Sequence, residues 1–258
     1  MTRALVGHTG FVGGNLAAQS VFDVCFNSRN IDQMAGRNFD EVICAGVQAV
    51  KWKANKEPEW DKAGIKTLTD VLETVKAKRF ILISTIDVYP VIAGEDETFD
   101  CHKMKNHAYG SHRLALEDFI AARHADHHIV RLPGLFGNGL KKNVIFDLLT
   151  DNCLETINPS SSFQYYDLER LTADLNILAD AGIRIANLFT APVTTKTIMD
   201  RFFPGKTVGG KAGAELHYDL KTCHDALFGN NNGYIMDENE VLDSMGTFID
   251  RWRKGETA

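Results

Sequence analysis

Three side chains of the sequence have the type and spacing needed to move a proton to or from a substrate. Tyr109 and Arg113 are four residues apart in a stretch that predicts a helix, so they share one helical face. A cation beside a phenol stabilises the phenolate, which favours Tyr109 as an acid or base, and the hydroxyl of Thr85 could orient a substrate oxygen. A tyrosine and an arginine at this spacing also occur as an ordinary packing pair, so both interpretations stay open here.

A glycine-rich stretch near the N-terminus is suited to binding phosphate. Residues 4–6 predict a strand, and an apolar pattern that predicts a helix begins after Gly10. Gly7 permits a tight turn, Gly10 lets a ligand approach the backbone, and Gly13 lets the helix pack close to the strand. Any tight strand-to-helix turn favours glycine. The position of this turn directly after the first strand favours binding of a dinucleotide, whose pyrophosphate would face the N–H groups of the helix.

The end of the second predicted strand, residues 21–26, bears on the choice of dinucleotide. In a Rossmann fold this end meets the adenosine ribose, where an acidic residue suits the 2′-hydroxyl of NAD. The sequence has Asn27, Ser28 and Arg29 there instead. A guanidinium suits a 2′-phosphate, which favours NADP and leaves NAD as the alternative. An ordinary solvated arginine is the other explanation of Arg29.

The elements that must position these residues alternate between strands and helices. After the second strand, residues 30–39 are too few and too polar for a full crossover helix. Strands follow at residues 41–45 and 80–84, with a helix that starts at Pro58 between them. The later strand is continuously apolar, as expected in a parallel sheet covered on both faces. The pattern predicts an α/β fold, namely a Rossmann-type doubly wound parallel sheet with a small C-terminal substrate lobe.

The same pattern divides the chain into two parts. Residues 1–160 are assigned to an NAD(P)-binding Rossmann domain, to which parts of 161–195 return. Glycine, lysine and asparagine residues from Asn138 to Asn143 predict a loop that begins the segment 138–150. Together with 196–258, this segment is assigned to a small substrate-binding lobe. The tail, 234–253, has the apolar spacing of an amphipathic helix.

Composition and charge argue against several classes of protein. The chain has 258 residues, 44% of them hydrophobic, which is enough for one large core. A net charge of −6 argues against a nucleic-acid partner, and no apolar run approaches the roughly 18 residues of a membrane-spanning helix. The N-terminus lacks a signal-peptide pattern and the five scattered cysteines indicate reduced thiols, so a cytoplasmic location is expected. The histidines within residues 124–128 lie at a predicted helix end, which favours a solvated surface over a metal site.

Four segments, taken in their order along the chain, resemble one enzyme family. They are GHTGFVG at residues 7–13, STIDVY at 84–89, YGSHR at 109–113 and RLPGLFG at 131–137. They look like the extended short-chain dehydrogenase/reductases and, more narrowly, like the NAD-dependent epimerase/dehydratase group that acts on nucleotide sugars. The ordered set, within roughly the first 190 residues, is more specific than any single motif.

The resemblance implies roles for individual residues. Thr85 would polarise the substrate oxygen, Tyr109 would be the acid or base, and Arg113 would stand where the family has the lysine of Tyr-x-x-x-Lys. Arginine supplies a positive charge but cannot release its proton, which puts a proton relay through this position in doubt. The residues assigned to the cofactor are Gly7, Thr9, Gly10, Phe11, Val12, Gly13, Asn27, Ser28, Arg29, Ala45, Gly46, Ser84, Tyr109, Arg113, Leu132, Pro133, Gly134 and Leu135. The residues assigned to the substrate are Asp87, Val88, Asn143 and Tyr166.

Residues 86 and 87 distinguish the chain from one branch of that family. Dehydratases that carry two acids place them directly after the threonine, where this chain has Ile86 and Asp87. Losing the first carboxylate argues against dehydration, which needs an acid on the leaving hydroxyl. Asp87 is then either a base or the cap of a turn.

The resemblance therefore implies an NAD(P)-dependent reductase or epimerase acting on a keto or hydroxyl group of an activated sugar, with a reductase favoured. The alternative is a non-catalytic dinucleotide-binding protein, regulatory or sensory, with a degenerate active site. Related enzymes often dimerise through the tyrosine helix. Apolar residues on that helix, including Leu114 and Phe119, leave surface for a partner, so a homodimer is expected.

Overall fold

The computed structural model describes residues 1–256 of the chain, which form two compact units. The first, here called the sheet unit, comprises Met1–Val91, Phe99–Leu132 and Leu171–Ala186. The second unit comprises Ile92–Thr98, Pro133–Arg170 and the chain from residue 187 onward. A role of residues 138–150 and 196–258 in substrate binding stays a prediction.

Strands and helices alternate through most of the chain. The strands are β1 (Arg3–Val6), β2 (Val24–Phe26), β3 (Asn38–Cys44), β4 (Lys76–Thr85), β5 (His127–Leu132), β6 (Gly134–Phe136), β7 (Ser162–Phe163), β8 (Tyr165–Asp167), β9 (Ile185–Asn187) and β10 (Val193–Thr194). The helices are α1 (Phe11–Gln19), α2 (Lys51–Lys56), α3 (Pro58–Leu72), α4 (Ala108–Arg123), α5 (Val144–Thr150), α6 (Leu171–Asp180), α7 (Thr195–Phe202) and α8 (Glu238–Arg253). Within residues 1–256, each helix is too short or too polar to cross a lipid bilayer.

Six strands form one sheet in the order β2-β1-β3-β4-β5-β9. The first five strands pair in parallel. α1 packs against α6, whereas α3 packs against α2 and α4. The chain leaves β1 toward β2 and then returns to its other side as β3, so the direction of winding reverses at β1. The predicted Rossmann-type doubly wound parallel sheet is confirmed.

The strand register brings the carboxyl ends of the strands to one edge of the sheet. Val6, the last residue of β1, pairs with Phe26 of β2 and with Cys44 of β3. Thr85, at the end of β4, pairs with Leu132 at the end of β5. Open α/β sheets bind ligands at this edge, where the winding reverses.

Several boundaries differ from the sequence prediction for physical reasons. β2 begins at Val24, because Val21 is 86% exposed and gains no burial from joining the sheet. The link from β2 to β3 is a short 3-10 turn, Ile31–Met34, which confirms the abbreviated connection. The predicted loop that starts at Asn138 ends at Asn143, the N-cap of the helix α5.

Pro133 divides residues 131–137, the last of the four segments that resemble the family, between two strands. β5 ends one residue before this proline, which has no N–H group to continue the ladder. The next residues form β6, which pairs in parallel with β8 in the second unit. In that unit β7 also pairs with β10, in the antiparallel sense.

The C-terminal amphipathic helix is confirmed as α8. Asp237 and Glu240 form a reciprocal capping box at its start. The predicted apolar face, which comprises Val241, Met245, Phe248 and Ile249, is buried.

His124 makes the stability of the protein depend on pH. Its ring is buried and stacks on Phe80 with the ring centroids 4.4 Å apart, and its Nε2 has no hydrogen-bond partner within residues 1–256. Burial lowers the pKa of His124 to about 4, against 6.5 for an ordinary histidine. Between these values the unfolded chain binds a proton that the folded chain does not, so stability is lost as the pH falls from about 6.5 to about 4.

We expect the free energy of unfolding to fall by roughly 2–3 kcal/mol across this range, since one pKa unit corresponds to about 1.4 kcal/mol. Urea denaturation near neutral pH and near pH 4 measures the difference. The variant His124→Phe keeps a stacked ring but takes up no proton, so its stability should depend less on pH. Full retention of the pH dependence in the variant would assign it to another group.

Candidate active site

The glycine turn lies at the carboxyl end of β1. Gly7 has a φ of +90°, and a Cβ there would overlap the carbonyl oxygen of Ala45. A Cβ at Gly13 would overlap the carbonyl oxygen of Gly7, so only glycine fits either position. Gly10 is the exposed N-cap residue of α1 and brings no side chain to the turn. Thr9 is also exposed, and Phe11 and Val12 are half-buried at the start of the helix.

The turn after β2 leaves the predicted arginine open to solvent. Asn27 Oδ1 accepts the backbone N–H of Arg29 at 2.9 Å, and the Asn27 N–H donates to Asn30 Oδ1 at 2.7 Å. These bonds fix the backbone of the turn, while Ser28 and Arg29 are exposed. The Arg29 guanidinium is therefore accessible to a phosphate.

The end of β3 packs closely against the end of β1. The Ala45 N–H donates to the Val6 carbonyl oxygen at 2.9 Å. A Cβ at Gly46 would come within 2.8 Å of Val6 Cγ1. Because Ala45 and Gly46 are both small, their backbone can approach the glycine turn at the point where the winding reverses.

The turn after β4 carries a hydroxyl and a carboxylate. Thr85 Oγ1 accepts the Asp87 N–H at 3.2 Å, which leaves the hydroxyl hydrogen of Thr85 for another acceptor. Asp87 Oδ1 lies 2.5 Å from Lys51 Nζ and 3.9 Å from His107 Nε2. Thr85, rather than Asp87, is thus the residue that caps this turn, and the Asp87 carboxylate forms an ion pair.

The first turn of α4 packs on the turn after β4. A Cβ at Gly110 would overlap the carbonyl oxygen of Asp87, and Asn106 Nδ2 donates to the same oxygen at 2.9 Å. Asn55 Oδ1 of α2 accepts the Tyr109 N–H at 2.9 Å. These contacts fix the backbone of Tyr109 beside the turn, with 7% of the residue exposed.

Arg113 makes hydrogen bonds with three parts of the sheet unit. Its guanidinium carbon lies 3.7 Å from the centroid of the Tyr109 ring, and Nη1 also donates to the Tyr109 carbonyl oxygen. Nη1 donates to the buried Asp61 Oδ2, and Nη2 donates to the Gln48 carbonyl oxygen at 2.6 Å. Burial opposes ionisation of Asp61, but the hydrogen bonds from Arg113 and His112 lower its pKa. The guanidinium is therefore held by hydrogen bonds to α3 and to the loop after β3.

Tyr109 is stabilised as a neutral phenol. Burial raises the pKa of Tyr109, and the opposing effect of the Arg113 charge does not cancel it. The charge of Arg113 favours the phenolate, as the sequence predicts, but burial of the ring has the larger effect and keeps the phenol neutral. A protonated phenol is the form that a general acid requires.

Ser84 belongs to a buried network beneath this site. Its hydroxyl donates to Glu117, whose Oε2 lies 2.7 Å from Arg131 Nη2. Arg131 Nη1 donates in turn to the Tyr89 hydroxyl at 3.0 Å. The network joins β4, β5 and α4 and uses the hydroxyl hydrogen of Ser84, so a contact between Ser84 and the cofactor stays a prediction.

The remaining predicted residues differ in how far they are buried and bonded. Val88 and Tyr166 are fully buried, so we leave them out of the proposed site. In the second unit, Asn143 Oδ1 accepts the Phe146 N–H at 3.1 Å and its Nδ2 donates to the Leu135 carbonyl oxygen at 2.8 Å, so both ends of its amide are bound. Leu132 and Pro133 are buried, whereas Gly134 and Leu135 are half-buried in β6.

The structure adds residues that sequence reasoning missed. His107 precedes the helix predicted from the sequence, and its Nδ1 caps α4 by accepting the Gly110 N–H at 3.0 Å. Lys51 and Asn55 lie on α2, which has no periodic apolar pattern to reveal it. Their positions near Tyr109 depend on tertiary packing alone.

Comparisons with known proteins bear on the fold. Residues 26–152 match a family described as NAD(P)H-binding, and no curated protein matches the chain at a significant level. The solved structure of dTDP-4-dehydrorhamnose reductase from Bacillus anthracis in complex with NADP is 16% identical, with 97% of this chain and 99% of that chain covered and a TM-score of 0.74. UDP-glucose 4-epimerase from Thermotoga maritima, with UDP-glucose, is 13% identical over 99% of both chains, with a TM-score of 0.70. MoeE5, in complex with UDP-glucose and NAD, is also 13% identical over 99% of both chains, with a TM-score of 0.71.

This is the fold of the nucleotide-sugar epimerases and reductases. At these identities the likeness concerns the fold alone, and the match to the family described as NAD(P)H-binding covers residues 26–152.

A dinucleotide fits the glycine turn of this Rossmann-type fold. The exposed Gly10 leaves the N–H groups at the start of α1 accessible, and the first turn of α1 has no acidic side chain to repel a pyrophosphate. The exposed turn of Ser28 and Arg29 lies at the end of the neighbouring strand, β2.

Proposed function

We propose that the chain is an NAD(P)-dependent oxidoreductase or epimerase that acts on a keto or hydroxyl group of a nucleotide-linked sugar, with net reduction favoured. The observation that carries the proposal is the packing of α4 on the turn after β4. This packing holds Tyr109 close to the turn of Thr85 and Asp87. The glycine turn ends another strand of the same sheet. Solved structures with this fold are described with UDP-glucose, NAD or NADP, which supports the choice of ligands.

In the sheet unit, some residues would bind the cofactor and others would orient the substrate and transfer a proton. The glycine turn would hold the pyrophosphate, and Ala45 and Gly46 would let the cofactor pass the end of β3. When bound, a reduced nicotinamide supplies a hydride to the substrate carbon. The free hydrogen of the Thr85 hydroxyl would bond the substrate oxygen, and the neutral Tyr109 phenol would donate its proton to that oxygen.

One observation favours a second candidate, a dinucleotide-binding protein without catalysis. The guanidinium of Arg113 is bound to Asp61 and Gln48, so it does not extend freely toward a cofactor. A chain that had lost turnover would still keep the glycine turn and bind a dinucleotide.

Turnover separates the two candidates. The purified protein is mixed with NADPH or NADH and a panel of nucleotide sugars that carry a keto group, and loss of the reduced nicotinamide absorbance is followed. Epimerisation is followed separately by proton NMR of nucleotide sugars, because hydride is returned and no cofactor is consumed. We expect turnover in one of these assays. Tight binding of NADPH without turnover of any substrate in either assay would support the non-catalytic alternative.

The choice of cofactor is tested at Arg29. If its exposed guanidinium binds the 2′-phosphate, Arg29→Ala should weaken NADPH binding about tenfold to a hundredfold, the scale of one hydrogen bond to a charged group. NADH lacks that phosphate and serves as the matched control, since its affinity should hardly change. Fluorescence titration of both cofactors measures the two effects. Equal losses for NADPH and NADH would contradict this role.

Homodimerisation through α4 and a cytoplasmic location remain predictions. On α4, Leu114 and Phe119 are half-buried and retain apolar surface, whereas Leu116 and Ile120 are buried.

A further inference from the structure

Lys51 connects α2 to the proposed site. It begins the helix and shares a helical face with Asn55, four residues later. Lys51 Nζ lies 2.5 Å from Asp87 Oδ1, and Asn55 Oδ1 accepts the Tyr109 N–H at 2.9 Å. The side chain of Lys51 is 41% exposed and that of Asp87 is 16% exposed. The ion pair therefore lies where the site meets solvent.

Two ion pairs act on the Tyr109 phenol. In the first Arg113 pairs with Asp61 of α3, and in the second Lys51 pairs with Asp87; all four charges act on the pKa of Tyr109. In each pair a carboxylate that would repel negative charge is balanced by a cation. The phenol consequently has little net charge around it.

His107 is a further titratable group at this end of α4. Its Nδ1 accepts the Gly110 N–H, so the neutral ring carries its proton on Nε2, which lies 3.9 Å from Asp87 Oδ1. Burial lowers the pKa of His107, and the charge of Lys51 adds to this effect. His107 is therefore neutral near physiological pH and does not replace Lys51 as the cation beside Asp87.

We propose that Lys51 is a positioning residue that, by pairing with Asp87, removes the repulsion between this carboxylate and the negative charge formed on Tyr109. The proposal rests on the proposed function, in which the Tyr109 O–H bond breaks as a new O–H bond forms on the substrate oxygen. The phenolate oxygen then takes a proton from solvent before the next turnover. Arg113 does not balance Asp87, because its hydrogen bonds go to Asp61 and to the carbonyl oxygens of Gln48 and Tyr109.

The charge at Tyr109 can be measured without any substrate. Tyr109 is replaced by a difluorotyrosine, whose phenol ionises near neutral pH, and fluorine NMR follows its titration. In the Lys51→Met background the titration midpoint should rise by about one pH unit, because Asp87 is left without its cation. In the double variant Lys51→Met, Asp87→Asn, most of this rise in the titration midpoint should disappear, because the carboxylate is removed as well. An unchanged midpoint in Lys51→Met would overturn the proposal.

Lys53→Met is the matched control on the same helix. Lys53 Nζ lies 3.9 Å from Glu57 and 4.0 Å from the centroid of the Trp60 ring, and its contacts are with neighbours along the chain. Its removal should leave the titration midpoint of the difluorotyrosine in place. An equal rise in Lys53→Met would show that any positive charge on α2 has this effect, and would overturn the specific role of Lys51.

Turnover gives a second readout once a substrate is known. Lys51→Met should lower kcat about tenfold to a hundredfold, and Lys51→Arg should recover most of it because the positive charge is restored. The NADPH dissociation constant should stay within about twofold of the wild type. Loss of kcat in both variants would indicate a structural role and contradict the proposal. Absence of wild-type turnover together with the expected NMR shift would instead overturn the proposed function and leave the charge pairing in place.

Discussion

Replacing Tyr109 with phenylalanine is expected to reduce turnover about a hundredfold or more, the usual scale for loss of a general acid. The substitution removes only the hydroxyl, while the ring stays under the Arg113 guanidinium, 3.7 Å from its centroid. The backbone bond from the Tyr109 N–H to Asn55 is also kept, so the fold of this region should not change. Steady-state kinetics with the substrate found in the panel measures the loss.

Cofactor binding distinguishes this role from damage to the fold. Tyr109→Phe should bind NADPH with nearly unchanged affinity, because the phenol acts on the substrate. Normal turnover by a folded Tyr109→Phe protein would show that the proton comes from another group.

Arg113 offers a poorer test of the same chemistry. Arg113→Ala would leave Asp61 buried without its main partner, and breaking a buried ion pair in this way costs roughly 3–5 kcal/mol. Any loss of activity in that variant would combine altered catalysis with partial unfolding. The tyrosine is therefore the better position at which to test proton transfer.

Gly10→Val should abolish measurable dinucleotide binding while the protein stays folded. Gly10 has a φ of −84° and a ψ of 172°, an extended conformation that valine readily adopts. Its Cβ would lie 3.3 Å from the Gly7 carbonyl oxygen, a tight contact that a small shift relieves. The new side chain would stand over the N–H groups at the start of α1, and each hydrogen bond lost to a charged phosphate costs roughly 1.5–3 kcal/mol.

Gly14→Val is the matched control for this prediction. Gly14 is exposed one turn later in α1, and its Cβ would lie 3.7 Å from the His8 carbonyl oxygen, an ordinary contact. Isothermal titration with NADPH should show normal affinity in Gly14→Val and none in Gly10→Val, with both variants folded by circular dichroism. Unchanged affinity in Gly10→Val would mean that the pyrophosphate binds elsewhere. Gly13 is unsuitable for this comparison, because its Cβ would overlap backbone and disturb the turn itself.

The parts of the site that depend on local geometry could be predicted from the sequence. The glycine turn is defined by contacts among Gly7, Gly10 and Gly13, which are close in the chain. The helix that carries Tyr109 could be predicted as well, because its apolar pattern is long. The order of strand and helix signals was sufficient for the fold, since a parallel sheet needs a crossover after each strand.

The charges around Tyr109 could not be predicted in this way. Asp87 and Lys51 are 36 residues apart, and Asp61 and Arg113 are 52 residues apart. A six-residue helix such as α2 is unstable alone, and its formation depends on packing against α3 and α4. The sequence of α2 by itself therefore does not predict a helix. The sequence shows Arg113 beside Tyr109, but it shows neither the burial that raises the pKa of the phenol nor the carboxylate of Asp61 that pairs with Arg113.

The three-way attachment of Arg113 has a consequence for substitution at this position. A lysine, which the resemblance to the extended short-chain dehydrogenase/reductases implies there, presents a compact ammonium group in place of a planar fork. It lacks the shape with which the guanidinium bonds Asp61 and the Gln48 carbonyl oxygen while covering the Tyr109 ring. A single change to lysine would therefore disturb the partner of the buried Asp61. We expect lysine to be tolerated better together with a change at Asp61, which is epistasis between the two positions.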